Sequence, residues 1–203
     1  MPTYHLIKYA MSMLEYDEIK ERKYVVLDGE PWEVLTSHVF RKQQRKPVNA
    51  VKLKNLKSGK VTERSFHVSE KAEEAEIESR DIKYLYENRG EYWFCEPEDP
   101  SKRFKIDANL IGQEIKFIKT NSILTGLYFD DEIIGVKFPI KVDLKVTEAH
   151  DAVKGNTAQG GSKQVLVETG ATVNVPMFIK QGEVIRINTE TGDYAERVGG
   201  ANF

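Results

Sequence analysis

One cysteine in 203 residues is too few for a disulfide within the chain. Four histidines, His5, His38, His67 and His150, are scattered so that none stands at ligand spacing from another histidine or from Cys95, and no zinc motif results. Long apolar runs are missing too. No stretch approaches the roughly 20 consecutive apolar residues of a membrane helix. Residues 1–12 hold isolated apolar side chains broken by His5 and Lys8, with no apolar centre of a secretion signal. The expectation is a cytoplasmic protein with no membrane contact, and Met13 is an alternative start to Met1, because Leu14-Glu15-Tyr16 opens the first patterned segment. Nucleophile motifs are absent as well: there is no Gly-x-Ser-x-Gly elbow, and Cys95 ends the apolar run Tyr92-Trp93-Phe94-Cys95, the setting of a small buried hydrophobe. Asp130-Asp131-Glu132 reads as a solvated turn. No catalytic residue, metal site or cofactor is expected, and the chain is not read as an enzyme.

Helical periodicity is scarce, whereas β-branched and aromatic residues recur between closely spaced Gly turns, so the chain reads as mostly β. Residues 24–27 lead into Asp28-Gly29-Glu30-Pro31, a strong hairpin turn, and the chain resumes over 32–40. After Pro47, residues 48–56 and 61–68 flank the turn Ser58-Gly59-Lys60, completing a meander of four or five strands that suits an SH3-like barrel over 13–72. The acidic stretch 70–78 marks a boundary, either a linker or the first strand of the next domain.

A second domain over 73–137 opens with a hairpin turning at Asn88-Arg89-Gly90, whose alternating aromatics read as barrel filling, with exposed stacking platforms for bases as the alternative. Residues 107–112 predict a short helix capped by Asp107; 115–118, 123–129 and 133–136 return to strand pattern, as in an OB-type barrel. Phe138-Pro139 opens a third domain, 138–198, in which Val142, Leu144 and Val146 alternate with charged residues. Its polar loop, 148–163, is longer than usual connections, and its glycines match neither a phosphate-binding nor a dinucleotide-binding fingerprint.

The overall charge of −2 conceals polarity along the chain. Residues 1–70 hold 13 Lys and Arg against 9 Asp and Glu, residues 71–137 hold 10 against 15, and residues 138–203 hold 7 against 8. The basic end centres on Arg41-Lys42-Gln43-Gln44-Arg45-Lys46, six polar residues at a hairpin turn that has none of the Gly, Asn or Asp such turns favour. A solvated loop that keeps a sheet edge from aggregating is one reading; a phosphate-binding tip is the other.

The order of parts resembles that of bacterial translation elongation factor P. The residues that carry the resemblance are Leu27 to Pro31, the strand around Val51-Lys52-Leu53, Tyr84-Leu85-Tyr86 with Tyr92-Trp93, and a C-terminal run in which Lys154, Gly155, Thr157, Ala158, Thr169-Gly170, Val175-Pro176, Phe178 and Gly182 stand in step. The resemblance implies an all-β chain of three small barrels in series, SH3-like then two of OB type. It implies a factor that binds the ribosome between the peptidyl and exit sites, touches peptidyl-tRNA and messenger RNA at the exit site, and relieves stalling at consecutive prolines. A monomer is expected. The alternative is a general single-stranded RNA-binding OB protein.

Carried over residue by residue, the resemblance places Arg41, Lys42, Gln43, Gln44, Arg45 and Lys46 at the acceptor end of the tRNA. An ungapped alignment puts Gln44 where relatives carry a Lys or Arg that is enzymatically extended, so the tip here is expected to work unmodified; a one-residue shift in register moves the apex to Gln43 or Arg45. The family's Gly-Asp-Thr loop reads Gly155-Asn156-Thr157 and faces the codon side. The Pro-Gly that precedes it in relatives is replaced by His150-Asp151-Ala152. Tyr194 and Arg197 fall where relatives contact the small subunit, with a barrel-closing aromatic as the other reading of Tyr194.

Overall fold

A computed structural model describes residues 12–41, 45–149 and 161–199. Sixteen β-strands form three antiparallel sheets among these residues. The first sheet comprises β1 (Met13–Glu15), β2 (Tyr24–Leu27), β3 (Glu30–Phe40), β4 (Val48–Asn55), β5 (Val61–His67) and β6 (Lys71–Glu74), ordered β1-β6-β2-β3-β4-β5. Asp28 and Gly29, at φ 54° and 77°, make the turn from β2 into β3 that the sequence pair predicts.

The segment expected to be a linker or the start of the next domain is β6, a strand of this first sheet that joins β1 to β2: Ala72 lies opposite Leu14, and Glu73 pairs with both Met13 and Val26. Burial here is carried by Ala72 in β6 and Ala75 just after it, 3% and 4% exposed, too small to register as a hydrophobic pattern among glutamates. Leu14, Ile19, Val25, Val34, Val51, Leu53 and Phe66 fill the core on one face. The opposite face carries a second cluster, in which Tyr24, Val26 and Leu56 pack with Ala75, Phe129 and Ile134.

The second sheet runs β11 (Glu132–Lys137), β10 (Ile123–Phe129), β7 (Glu78–Asn88), β8 (Glu91–Cys95) and β9 (Arg103–Ile106). Tyr84 and Tyr86 stand two apart, which in an unbroken strand would place both rings on one face. A bulge at Leu85 changes this: Tyr84 pairs with Phe94 on the buried face, and Tyr86 pairs with Trp93 on the other, with ring centroids 6.3 Å apart and Tyr86 40% exposed. Tyr84 and Phe94 are thus buried, whereas Tyr86 is not. The predicted helix over 107–112 is a single 3-10 turn, Ala108–Leu110, at which Asp107 occupies the N-cap position without a side-chain hydrogen bond.

Residues 115–118, expected as strand, lie instead in and just after a second 3-10 helix, Gln113–Phe117. Ile115, Phe117 and Ile118 are all buried, a pattern that a short apolar run produces in either conformation. Phe117 enters the core of the third sheet, β14 (Thr172–Pro176), β13 (Ser162–Val167), β12 (Lys141–Ala149), β15 (Val184–Asn188) and β16 (Tyr194–Gly199), packing with Leu144, Val146, Val165, Val173, Ile185 and Ile187. The chain divides into two compact units, Met1–Ser79 with Leu127–Gly135, and Arg80–Gly126 with Val136–Phe203.

Candidate nucleic-acid interface

The basic hexapeptide is carried on the β3–β4 hairpin, paired without interruption from Thr36↔Lys52 through His38↔Ala50 to Phe40↔Val48. A bulge at Leu35 separates this outer part from the part of β3 that lies in the core, where Val34 is 1% exposed. Beyond the bulge the side chains emerge: Thr36, His38 and Val39 are exposed. Seven residues at roughly 3.4 Å each, from Val34 to Phe40, give an arm on the order of 20 Å.

At its end Arg41, Arg45 and Lys46 are exposed, and Arg41 Nε donates to the Arg45 carbonyl at 3.0 Å, closing the neck of the turn. Lys42, Gln43 and the expected apex Gln44 lie outside the described residues. The structure thus brings three of the four predicted cations to one end of the arm and orients one of them through a backbone carbonyl.

One broad face of the arm is a shallow groove of about 320 Å³, to which Thr36, His38, Ala50, Lys52, Glu63 and Ser65 contribute. His38 stacks on Phe40 with centroids 6.0 Å apart. Lys52 and Lys54 are exposed on this face, while Val51 and Leu53 between them are buried. The alternation that identified the strand therefore also aligns its lysines.

The root of the arm holds residues that sequence reading did not single out. Asn49 is fully buried on β4, its Nδ2 donating to the carbonyls of Tyr16 and Ile19. Glu21 accepts the Ser37 backbone N–H at 3.0 Å. The available signal was an amide at an inward position of β4, where Val51 and Leu53 follow it on the same face.

In the third sheet, Gly155, Asn156 and Thr157 lie outside the described residues; the strands that bracket their loop are β12 and β13, with Ala149 opposite Val165. Tyr194 is half-buried against the core cluster, the barrel-closing position. Arg197 is half exposed, donates to Glu183 at 3.1 Å, and lies 5.9 Å from the ring centroid of Phe178, itself 58% exposed. Arg186 forms a two-pronged pair with Asp143 at 2.7 and 2.9 Å and reaches Glu196 at 2.7 Å. The hydrogen bonds from Arg186 hold the Asp143 carboxyl below its ordinary range.

A second cavity, about 510 Å³, is lined by Tyr84, Tyr92, Lys116, Lys119, Glu168 and Thr169, among others. Lys119 pairs with Glu168 at 3.1 Å across it. Burial lifts the Tyr84 hydroxyl above its ordinary value, with the neighbouring Tyr92 and Glu87 adding to the shift. Among the described residues no group of three or more His, Cys, Asp or Glu is placed to hold a metal ion, and no helix is long and apolar enough to cross a membrane. Cys95 is a free, buried thiol.

Three sequence models match the chain in succession: the elongation factor P KOW-like domain over residues 16–72, the elongation factor P OB domain over 77–136, and the elongation factor P C-terminal domain over 142–197. The chain belongs to the elongation factor P family. Elongation factor P of Carboxydothermus hydrogenoformans is 36% identical over 186 residues, covering 92% of this chain and all of that one. Elongation factor P of Thermodesulfovibrio yellowstonii is 37% identical over 186 residues, covering 92% of this chain and 99% of its own. Among solved structures, a eukaryotic translation initiation factor 5A from Methanococcus jannaschii superposes with a TM-score of 0.52 at 15% identity, over 63% of this chain and 95% of that one, a likeness of fold. This family member is a translation elongation factor that acts with the ribosome, built as an all-β series of three small barrels, SH3-like followed by two of OB type. The family is not generally one of enzymes.

Proposed function

We propose that the chain binds the ribosome between the peptidyl and exit sites and uses the β3–β4 arm to hold the acceptor end of peptidyl-tRNA, relieving stalling at consecutive prolines. The observation that carries this reading is the arm itself, which leaves the core at Leu35 and ends in exposed Arg41, Arg45 and Lys46. Proline fixes φ and presents a constrained secondary amine, so peptide transfer suffers when the reacting ends are poorly placed. Holding one end in place lowers an entropic barrier without any acid, base or nucleophile from the factor, and each ~1.4 kcal/mol gained is tenfold in rate.

The cations Arg41, Lys42, Arg45 and Lys46 hold phosphates, which positions without reading sequence, and the amides of Gln43 and Gln44 hydrogen-bond the terminal nucleotides, the tip working unmodified. Gly155, Asn156 and Thr157 approach the messenger RNA in the exit site. Arg197, with Tyr194 braced against the core beside it, faces the small subunit. The factor acts as a monomer in the cytoplasm.

Purified translation tests this. Added protein should speed a triple-proline message and leave a proline-free one unchanged. Equal effects on both would replace the reading with general single-strand RNA binding, for which the Tyr86–Trp93 pair, with Tyr86 exposed, is the candidate stacking surface.

A further inference from the structure

Along the inward face of β4, Leu53 and Val51 send aliphatic side chains into the first core, and the next inward position is Asn49, 0% exposed. Its Nδ2 donates to the Tyr16 carbonyl at 2.7 Å and the Ile19 carbonyl at 2.8 Å, so both N–H groups go to a single loop. Its Oδ1 is buried with no hydrogen-bond partner. A buried acceptor left unpaired is unfavourable. What the amide supplies in return is a donor for each of two loop carbonyls that the sheet does not satisfy.

The same segment of chain holds β3 from the other side. The ladder between β2 and β3 ends at Tyr24↔Glu33, so the outer edge of β3 continues beyond its strand partner. There Arg22 N–H donates to the Val34 carbonyl at 3.0 Å, Val34 N–H donates to the Lys23 carbonyl at 2.9 Å, and Ser37 N–H donates to Glu21 Oε1 at 3.0 Å. Residues 16–23 thus grip both strands where the arm leaves the core.

Such a grip matters because this turn has no Gly, Asn or Asp to dictate its geometry, and register in a hairpin is otherwise set by the turn or by the burial pattern. Outside the core the arm's burial pattern is weak. A shift of one residue along β4 would bring Val48 or Ala50 under the Tyr16 and Ile19 carbonyls, and neither side chain has a donor.

We propose that Asn49 is a positioning residue that fixes the register and direction of the β3–β4 arm from its root, with Glu21 as its counterpart holding Ser37 of β3, and so determines which residue stands at the apex. Its importance for translation rests on the arm being the working end. The test therefore reads the arm separately from its effect.

Nuclear magnetic resonance of the full chain gives the register from the cross-strand pairs His38–Ala50 and Phe40–Val48. In Asn49→Val, a second set of arm resonances should appear, and the arm amides should exchange with solvent about tenfold faster or more. At a temperature where the variant is fully folded, its rate on a triple-proline message at saturation should fall about tenfold while the concentration for half effect moves less than about twofold. If Asn49→Val does not fold, the exposed Glu21 decides: Glu21→Ala should loosen the arm amides, and Glu21→Gln, which keeps an acceptor, should restore them. A single wild-type register with unchanged exchange in these variants overturns the proposal. So does a loss of activity with an unaltered arm. An arm that loosens while triple-proline synthesis keeps its full rate supports the clamp and overturns instead the reading of the arm as the tRNA-positioning element.

Discussion

Gly192 offers a quantitative test of how the 3-10 helix Gln113–Phe117 is held to the third barrel. It sits at φ +76°, and a Cβ built there would stand 3.3 Å from Cζ of Phe117, a ring 1% exposed inside the core. Gly170, at φ +84°, has nothing within 4 Å of its Cβ position and so isolates the backbone contribution. Gly170→Ala should cost only the left-handed strain of an L-residue, about 1 kcal/mol. Gly192→Ala should cost that plus overpacking of about 1–3 kcal/mol, because the ring is enclosed by Leu144, Val146 and Ile187 and has little room to yield. Phe117→Ala alone should cost about 3–5 kcal/mol as the cavity opens. In the double variant the clash is relieved, so the cost of Gly192→Ala should fall back to about 1 kcal/mol, a coupling of about 1–3 kcal/mol. Hydrogen exchange at the Val146 and Ile187 amides, compared with urea unfolding, reads the third barrel directly. A Gly192→Ala variant no less stable than Gly170→Ala, or one whose cost is the same with and without the Phe117 ring, would refute this packing.

The Asp143–Arg186 pair predicts an acid-dependent contribution. Hydrogen bonds from Arg186 lower the Asp143 pKa in the folded state, so the stabilisation is fully present above the unfolded carboxylate value near 4 and is lost as pH falls through the folded value. Arg186 is 33% and Asp143 40% exposed, so solvent screening keeps the contribution small. The stabilities of wild type and Arg186→Ala should therefore differ at pH 7 and converge in strong acid; a gap that persists unchanged to low pH would contradict it. Tyr194→Phe should keep both stability and ribosome binding if the ring acts by packing, whereas Tyr194→Ala should lose about 2–4 kcal/mol, measured by thermal unfolding. Loss of binding in Tyr194→Phe with full stability would instead give the hydroxyl a direct contact.

Where the chain used strong turn chemistry and clean alternation, its strands were legible. Asp28-Gly29 and Arg89-Gly90 both adopt the positive φ angles that their hairpins require. What escaped was structure whose signal is small or ambiguous in kind. β6 buries Ala72 rather than a branched side chain, so its role as a bridging strand was hidden by its glutamates. Residues 115–118 are apolar enough for strand or 3-10 helix, and the core that Phe117 enters is formed by residues 144–187, far along the chain. The Leu85 bulge reversed the face of Tyr86, which no periodicity can announce. At the candidate interface the cationic tip was evident from composition and position alone. The clamp at its root was not, since Asn49 acts on carbonyls some thirty residues earlier in sequence.

The bridging role of β6 also bears on how the protein is made. Strands β2 to β5 follow one another as hairpins and can pair as they emerge, but among the described residues β1 pairs with β6 alone, nearly sixty residues downstream. The cluster on the opposite face waits longer still, for Phe129 and Ile134. At synthesis rates of about 5–20 residues per second, the interval from β6 to Ile134 is on the order of 3–12 s. During that time the nascent N-terminal domain presents Tyr24, Val26 and Leu56 without Phe129 and Ile134, their later partners.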